Sequence, residues 1–156
     1  YSIDTTTGGV KKILSGLGLV SITNSDLSMI LYLTQGSSVN LFVFNTKTKT
    51  SLGVSPATFP EKCIWGIKDK TVLSCAVPKS TIYVNSLSSW YKGLISTSDD
   101  IWKFETKDGT STLVGEINKE SGEEIDVIKP ILSENEQYLI FVNKKDNSLW
   151  ALDLTK

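Results

Sequence analysis

The stretch NLFVFNTKTKTSLGV, Asn40 to Val54, is not unique in the chain. DIWKFETKDGTSTLVGEI (Asp100 to Ile117) and SLWALDLTK (Ser148 to Lys156) share its aliphatic-aromatic pair, a further apolar residue two on, and a Thr- or Lys-rich turn. The opening residues, YSIDTTTGGVKKIL, fit the same template with its first position cut off, so Tyr1, Phe42, Trp102 and Trp150 occupy one equivalent place. Self-similarity at this period marks a repeat architecture and constrains the fold more than any other feature.

A second element precedes each later copy: a polar turn and then an apolar run, in NSDLSMILYL, IKDKTVLSCA and SENEQYLIFV. Placing Asp26, Asp69 and Asn135 together brings Tyr32, Cys75 and Phe141 into register. One more short apolar stretch lies ahead of each turn, LVSI, KCIW and VIKPIL. The unit is thus four short strands, A to D, joined by hairpins. The runs are too short for helices, rich in β-branched and aromatic side chains, and bounded by Asn, Asp, Gly, Thr and Ser. MILYL, LFVF and YLIFV do not alternate polar with apolar, so both faces of these strands should be covered, as when small sheets stack on one another.

The expected fold is therefore all-β, a β-propeller segment of about three four-stranded antiparallel blades plus a partial blade, forming a single domain over 1–156. The units run over 1–14 (strands C and D), 17–54, 62–117 and 126–156. Propellers close with more blades than this, so the ring is completed either by sequence outside these residues or by a second copy in a homo-oligomer. With Tyr1 already at a strand position, the gene product is expected to extend upstream.

Two segments carry a resemblance to known families. At KCIWGIKDKTVLSCAVP and KPILSENEQYLIFVNKKDNSLWALDL the chain resembles the WD40-like (PD40) propeller repeats of the TolB type, whose consensus runs Trp, Ser, Pro, Asp, Gly, Lys and then an apolar strand. Trp65, Asp69 and Lys70 match it with one extra residue in the turn, and Leu132, Ser133 and Asn135 match it loosely. The same repeat builds the propeller of dipeptidyl peptidase IV-like proteins. CAVP followed by SWYKGLISTSDDIWKF is also similar to surface propellers of small-genome bacteria, a resemblance that implies no activity. The motif is a structural signature shared by proteins of unrelated roles.

Composition narrows the function classes. All 16 basic residues are Lys, the net charge is -1, and there is no His. A nucleic-acid partner is not expected without a basic footprint or an Arg fork, and the commonest general base and metal ligand is missing. No run of residues is long and apolar enough to span a membrane. The sequence holds no G-x-S-x-G elbow, Gly-rich phosphate loop or spaced-acid calcium loop, so neither a cofactor nor a metal is expected.

Local candidates are few. With Asp69 at the centre of the A to B hairpin, Cys63 falls opposite Cys75 and Trp65 opposite Leu73, within reach of a disulfide. Two buried thiols, or a weak metal site, remain the other readings of this pair. The connection from Cys75 to Ile101 is much longer than its counterparts Tyr32 to Leu41 and Phe141 to Leu149, and it contains Trp90, Tyr91 and Lys92 ahead of Asp99 and Asp100. Aromatics beside charges on a scaffold loop suit a protein or surface-glycan contact, and these five residues form the candidate binding site. Against that stands a packing role for Trp90 and Tyr91 and a turn role for the two acids. KESGEEID, Lys119 to Asp126, is expected to be a mobile acidic connection.

The expectation is a non-catalytic binding or scaffold propeller, extracytoplasmic or at the cell surface and not an enzyme. The alternative is the accessory propeller of a dipeptidyl peptidase IV-like serine peptidase whose hydrolase domain lies elsewhere.

Overall fold

A computed structural model describes residues 1–35 and 39–155. Among the described residues, thirteen strands form four antiparallel sheets. The first pairs β1 (Ser2–Ile3) with β2 (Val10–Lys11). The second is the meander β3 (Val20–Thr23), β4 (Met29–Gln35), β5 (Val39–Asn45) and β6 (Thr50–Gly53). β7 (Cys63–Trp65), β8 (Val72–Pro78), β9 (Asp99–Glu105) and β10 (Thr110–Gly115) make the third. The fourth contains β11 (Val127–Leu132), β12 (Tyr138–Asn143) and β13 (Leu149–Asp153).

The repeat seen in the sequence is a repeat of cross-strand partners. Tyr32 faces Phe42, Cys75 faces Trp102 and Phe141 faces Trp150. The polar turns repeat as well: Asp26, Asp69 and Asn135 each accept, through Oδ1, the backbone N–H two residues on. This local bond is why Asp and Asn occupy the position. It closes the β3–β4, β7–β8 and β11–β12 hairpins alike and sets the register of the strands that follow.

Alternation along each strand then decides which side chains meet between sheets. Leu31, Leu33, Leu41 and Val43 of the second sheet pack against Leu73, Cys75 and Phe104 of the third. On the other face of the third sheet, Ala76 and Ile101 pack against Val127, Leu139 and Phe141 of the fourth. Each fully buried Leu or Phe in these layers is worth roughly 1.5–3 kcal/mol relative to exposure. Hairpin tips also touch, since Asn24 Nδ2 donates to Lys70 O at 3.2 Å and Glu136 Oε1 accepts from Ile67 N at 2.6 Å and Lys68 N at 3.1 Å. Gly66 is required here, because a Cβ would sit 2.4 Å from Asp69 O.

Among the described residues, two α-helices interrupt the β pattern. α1 (Ser86–Tyr91) lies within the long β8–β9 connection, and α2 (Ile117–Ser121) ends on Gly122 at φ 76°, a left-handed C-terminal position suited to glycine. α2 buries Ile117 into the third-fourth sheet layer. The segment expected to be a mobile acidic connection is therefore helical at its start and buried at its end, where Asp126 is fully enclosed.

Candidate functional site

The Cys63–Cys75 disulfide is present, joining directly opposed residues of β7 and β8. It lies in the layer between the second and third sheets, away from solvent. Among the described residues no helix is long and apolar enough to cross a membrane. The disulfide is compatible with an extracytoplasmic protein.

Of the five loop residues singled out above, two lie inside the protein. Trp90 is 3% exposed, with its ring 5.3 Å from Phe59, whereas Tyr91 is 54% exposed. Lys92 is exposed, Asp99 is fully buried, and half-buried Asp100 pairs with Lys79 at 3.3 Å. Asp99 and Asp100 open β9. The α1 helix turns Trp90 inward because an indole buries a large apolar area and its N–H finds an internal acceptor.

That acceptor belongs to a polar cluster that sequence spacing did not reveal. A single 3-10 turn, Pro60–Lys62, precedes β7 and delivers Lys62 into the interior. Lys62 Nζ lies 2.6 Å from Asp99 Oδ2 and 2.6 Å from Asp126 Oδ1, and also donates to Thr97 Oγ1 at 2.9 Å and Val127 O at 3.1 Å. All three charged side chains are fully buried. Trp90 Nε1 donates to both oxygens of Asp126, at 2.9 and 3.0 Å, and Ser96 Oγ, Thr97 N and Thr97 Oγ1 add three more bonds. Lys144 closes the cluster from above, 4.1 Å from the centre of the Trp90 ring and bonded to Trp90 O.

The two carboxyls are held differently. Burial raises Asp99 above its ordinary value, more than the Lys62 charge lowers it. For Asp126 burial acts upward too, but the Lys62 charge and the bonds from Lys62, Trp90 and Thr97 together outweigh it and hold the group below its ordinary value. One oxygen of Asp99, Oδ1, has no hydrogen-bond partner although it is buried.

A second feature is open to solvent. Between the third and fourth sheets lies a groove of about 290 Å³, bordered by Lys68, Asp69, Lys103 and Glu136 over an apolar floor that includes Val114 and Leu132. The two acids are engaged by the protein itself: Glu136 by the Ile67 and Lys68 amides, Asp69 by Thr71 and by Lys107 at 2.9 Å. Lys68 Nζ donates to Asn135 O at 2.7 Å, one of its three N–H bonds. Lys103 pairs with Glu105 at 2.8 Å at the surface.

No protein-family profile matches the chain, and no curated protein sequence does either. Solved structures do. An oligogalacturonate lyase in complex with manganese is similar over 99% of this chain at 12% identity, with a TM-score of 0.56. The oligogalacturonate lyase of Vibrio parahaemolyticus is similar over 96% of it, again at 12% identity and a TM-score of 0.56. The fold is propeller-like.

The chain spans 40% and 39% of the length of those two structures. The likeness supports the propeller-like architecture and does not extend to the TolB-type or dipeptidyl peptidase IV-like assignment. It corrects one expectation: the structures sharing the fold are enzymes, and lyases rather than peptidases, so a non-catalytic scaffold role and the absence of an enzymatic one lose their support. The manganese belongs to the neighbour. Among the described residues here, no three His, Cys, Asp or Glu side chains converge on a point, and the ammonium of Lys62 fills the space between Asp99 and Asp126 that a cation would need.

Proposed function

We propose that this chain is a run of propeller blades belonging to an enzyme that acts on acidic oligosaccharides, with the groove between the third and fourth sheets receiving a uronate. In this reading the four sheets are successive blades of one ring. The fourth sheet's outer face supports it, for Ile131, Tyr138 and Leu149 stand exposed where the next blade would pack, Leu149 at 73%.

The observation that carries the reading is the pairing of two lysines with an apolar floor in a groove whose own acids are already bonded to the hairpins. A uronate presents a carboxylate on one edge and ring C–H groups on its face. Lys68 and Lys103 offer N–H donors to the first, while Val114 and Leu132 cover the second. Pairing the carboxylate with ammonium groups also withdraws electron density from the ring carbon beside it, the polarisation that an elimination of the lyase type requires. Residence outside the reducing cytoplasm, where such glycans and the disulfide both persist, belongs to the same proposal.

Titration calorimetry with a short oligogalacturonate tests it. Binding that weakens about tenfold or more in Lys68→Ala and Lys103→Ala, and that weakens with added salt, is the expected result. No heat with the acidic sugar, or equal heat with its neutral counterpart, refutes the reading.

A further inference from the structure

The buried Lys62 cluster is more than an ion pair can account for. A lysine with two carboxylates fully out of water is costly to enclose, and its attraction repays that cost only when every remaining polar atom is bonded. Here Asp99 Oδ1 is not. The arrangement is also asymmetric: Asp126 is bonded by Trp90, Ser96 and Thr97, whereas Asp99 has a single bonded oxygen, Oδ2, held by Lys62 Nζ and by Val127 N at 2.8 Å.

We propose that Lys62 and Asp99 form an intramolecular isopeptide bond, with Asp126 moving the protons. The amine and the carboxyl are already in contact, with Nζ 2.6 Å from the oxygen bonded to Cγ of Asp99, in a site closed to bulk solvent. When the ammonium proton passes to Asp99, the pair becomes a neutral amine and a carboxylic acid, the form that burial favours. The Nζ lone pair adds to Cγ. Oδ1 takes the developing negative charge, Oδ2 keeps the proton it received across the 2.6 Å contact, and Asp126 Oδ1, 2.6 Å from Nζ, accepts the proton that nitrogen sheds.

Asp126 then returns that proton to the Oδ2 hydroxyl, which adjoins the same nitrogen, the Cγ–Oδ2 bond breaks with the Val127 N–H bonded to the departing oxygen, and water leaves. One C–N bond forms, one C–O bond breaks, and one water is released. Nothing is oxidised or reduced, and the net charge of the cluster stays the same. The product ties the turn before β7 to the first residue of β9, across β8, in the sheet that also holds the disulfide. The site is distinct from the groove proposed for uronates, so the two proposals stand or fall separately.

Intact-mass spectrometry of the folded, full chain after reduction of the disulfide is the test. Most molecules should weigh one water less than the sequence requires. Trypsin should fail to cut after Lys62, and a branched peptide should join Lys62 to Asp99. Lys62→Ala, Asp99→Ala and Asp126→Ala should each restore the full mass. Because the first measurement uses the unaltered protein, a variant that fails to fold leaves it intact. A wild-type chain of full mass overturns the proposal, and so does a branch that maps to Asp126 or a water loss that survives in Asp126→Ala.

Discussion

Lys62 and Asp126, 64 residues apart in sequence, meet at 2.6 Å inside the protein and fasten the third sheet to the fourth. Asp126→Ala would leave the Trp90 indole N–H and the Thr97 amide without their acceptor and take from the Lys62 ammonium one of its two carboxylates, at an expected cost of about 3–5 kcal/mol. Urea unfolding of the variant checks this. A loss below about 1 kcal/mol would mean the cluster is wetter or looser than described.

Trp90 and Tyr91 are neighbours with opposite fates. Trp90→Ala should cost about 3–5 kcal/mol, because it empties a buried site against Phe59. Tyr91→Ala should stay within about 0.5–1 kcal/mol, as its side chain is largely in water. Thermal melts of the two variants side by side give the comparison, and equal losses would contradict the inward turn of α1.

The Cys63–Cys75 disulfide closes a short loop within one hairpin, with a sequence separation of 12. Chain entropy assigns it about 3 kcal/mol, less where the reduced hairpin keeps its turn. Unfolding with and without reductant should show a loss of about 1–3 kcal/mol. An unchanged midpoint would mean that the Asp69 turn holds the hairpin in the unfolded chain.

These three regions differ in how far the sequence announces them. The disulfide is legible because a turn Asp fixes the centre of its hairpin, and in an antiparallel pair the centre fixes every partner. Tyr32, Cys75 and Phe141 fall into line for the same reason, and their cross-strand partners follow. Asp126 is not legible. It lies in an acidic run that reads as solvated surface, and its partners arrive from a 3-10 turn, a helix and two loops whose directions no periodicity sets. The orientation of Trp90 is hidden likewise, since a helix of six residues has too few turns to show a buried face. The groove escapes notice because Lys68, Lys103 and Glu136 come from three different hairpins or strands.

Acid should destabilise the protein through its turns. Asp69, Asp108 and Asp146 lie below the ordinary carboxylate value of 3.8, held there chiefly by bonds from Thr71, Thr110 and Ser148 respectively. A lowered folded-state value contributes stability that is full above the ordinary value and is lost as pH falls through the lowered one. Glu61, raised by burial, has the opposite sign: its contribution is present below the ordinary value and lost as pH rises through the raised one. The several lowered groups outnumber it, so urea midpoints should fall steadily on acidification below about pH 4. Midpoints that hold or rise there would contradict the turn bonding.

The central functional claim concerns where an acidic sugar would sit, and amide chemical-shift mapping during titration with a short oligogalacturonate addresses it most directly. Shifts should concentrate at Gly66, Lys68, Asp69, Lys103 and Glu136, the border of the groove between the third and fourth sheets. A spectrum unmoved by the sugar, or one whose changes gather around Tyr91 and Lys92 instead, would contradict the account.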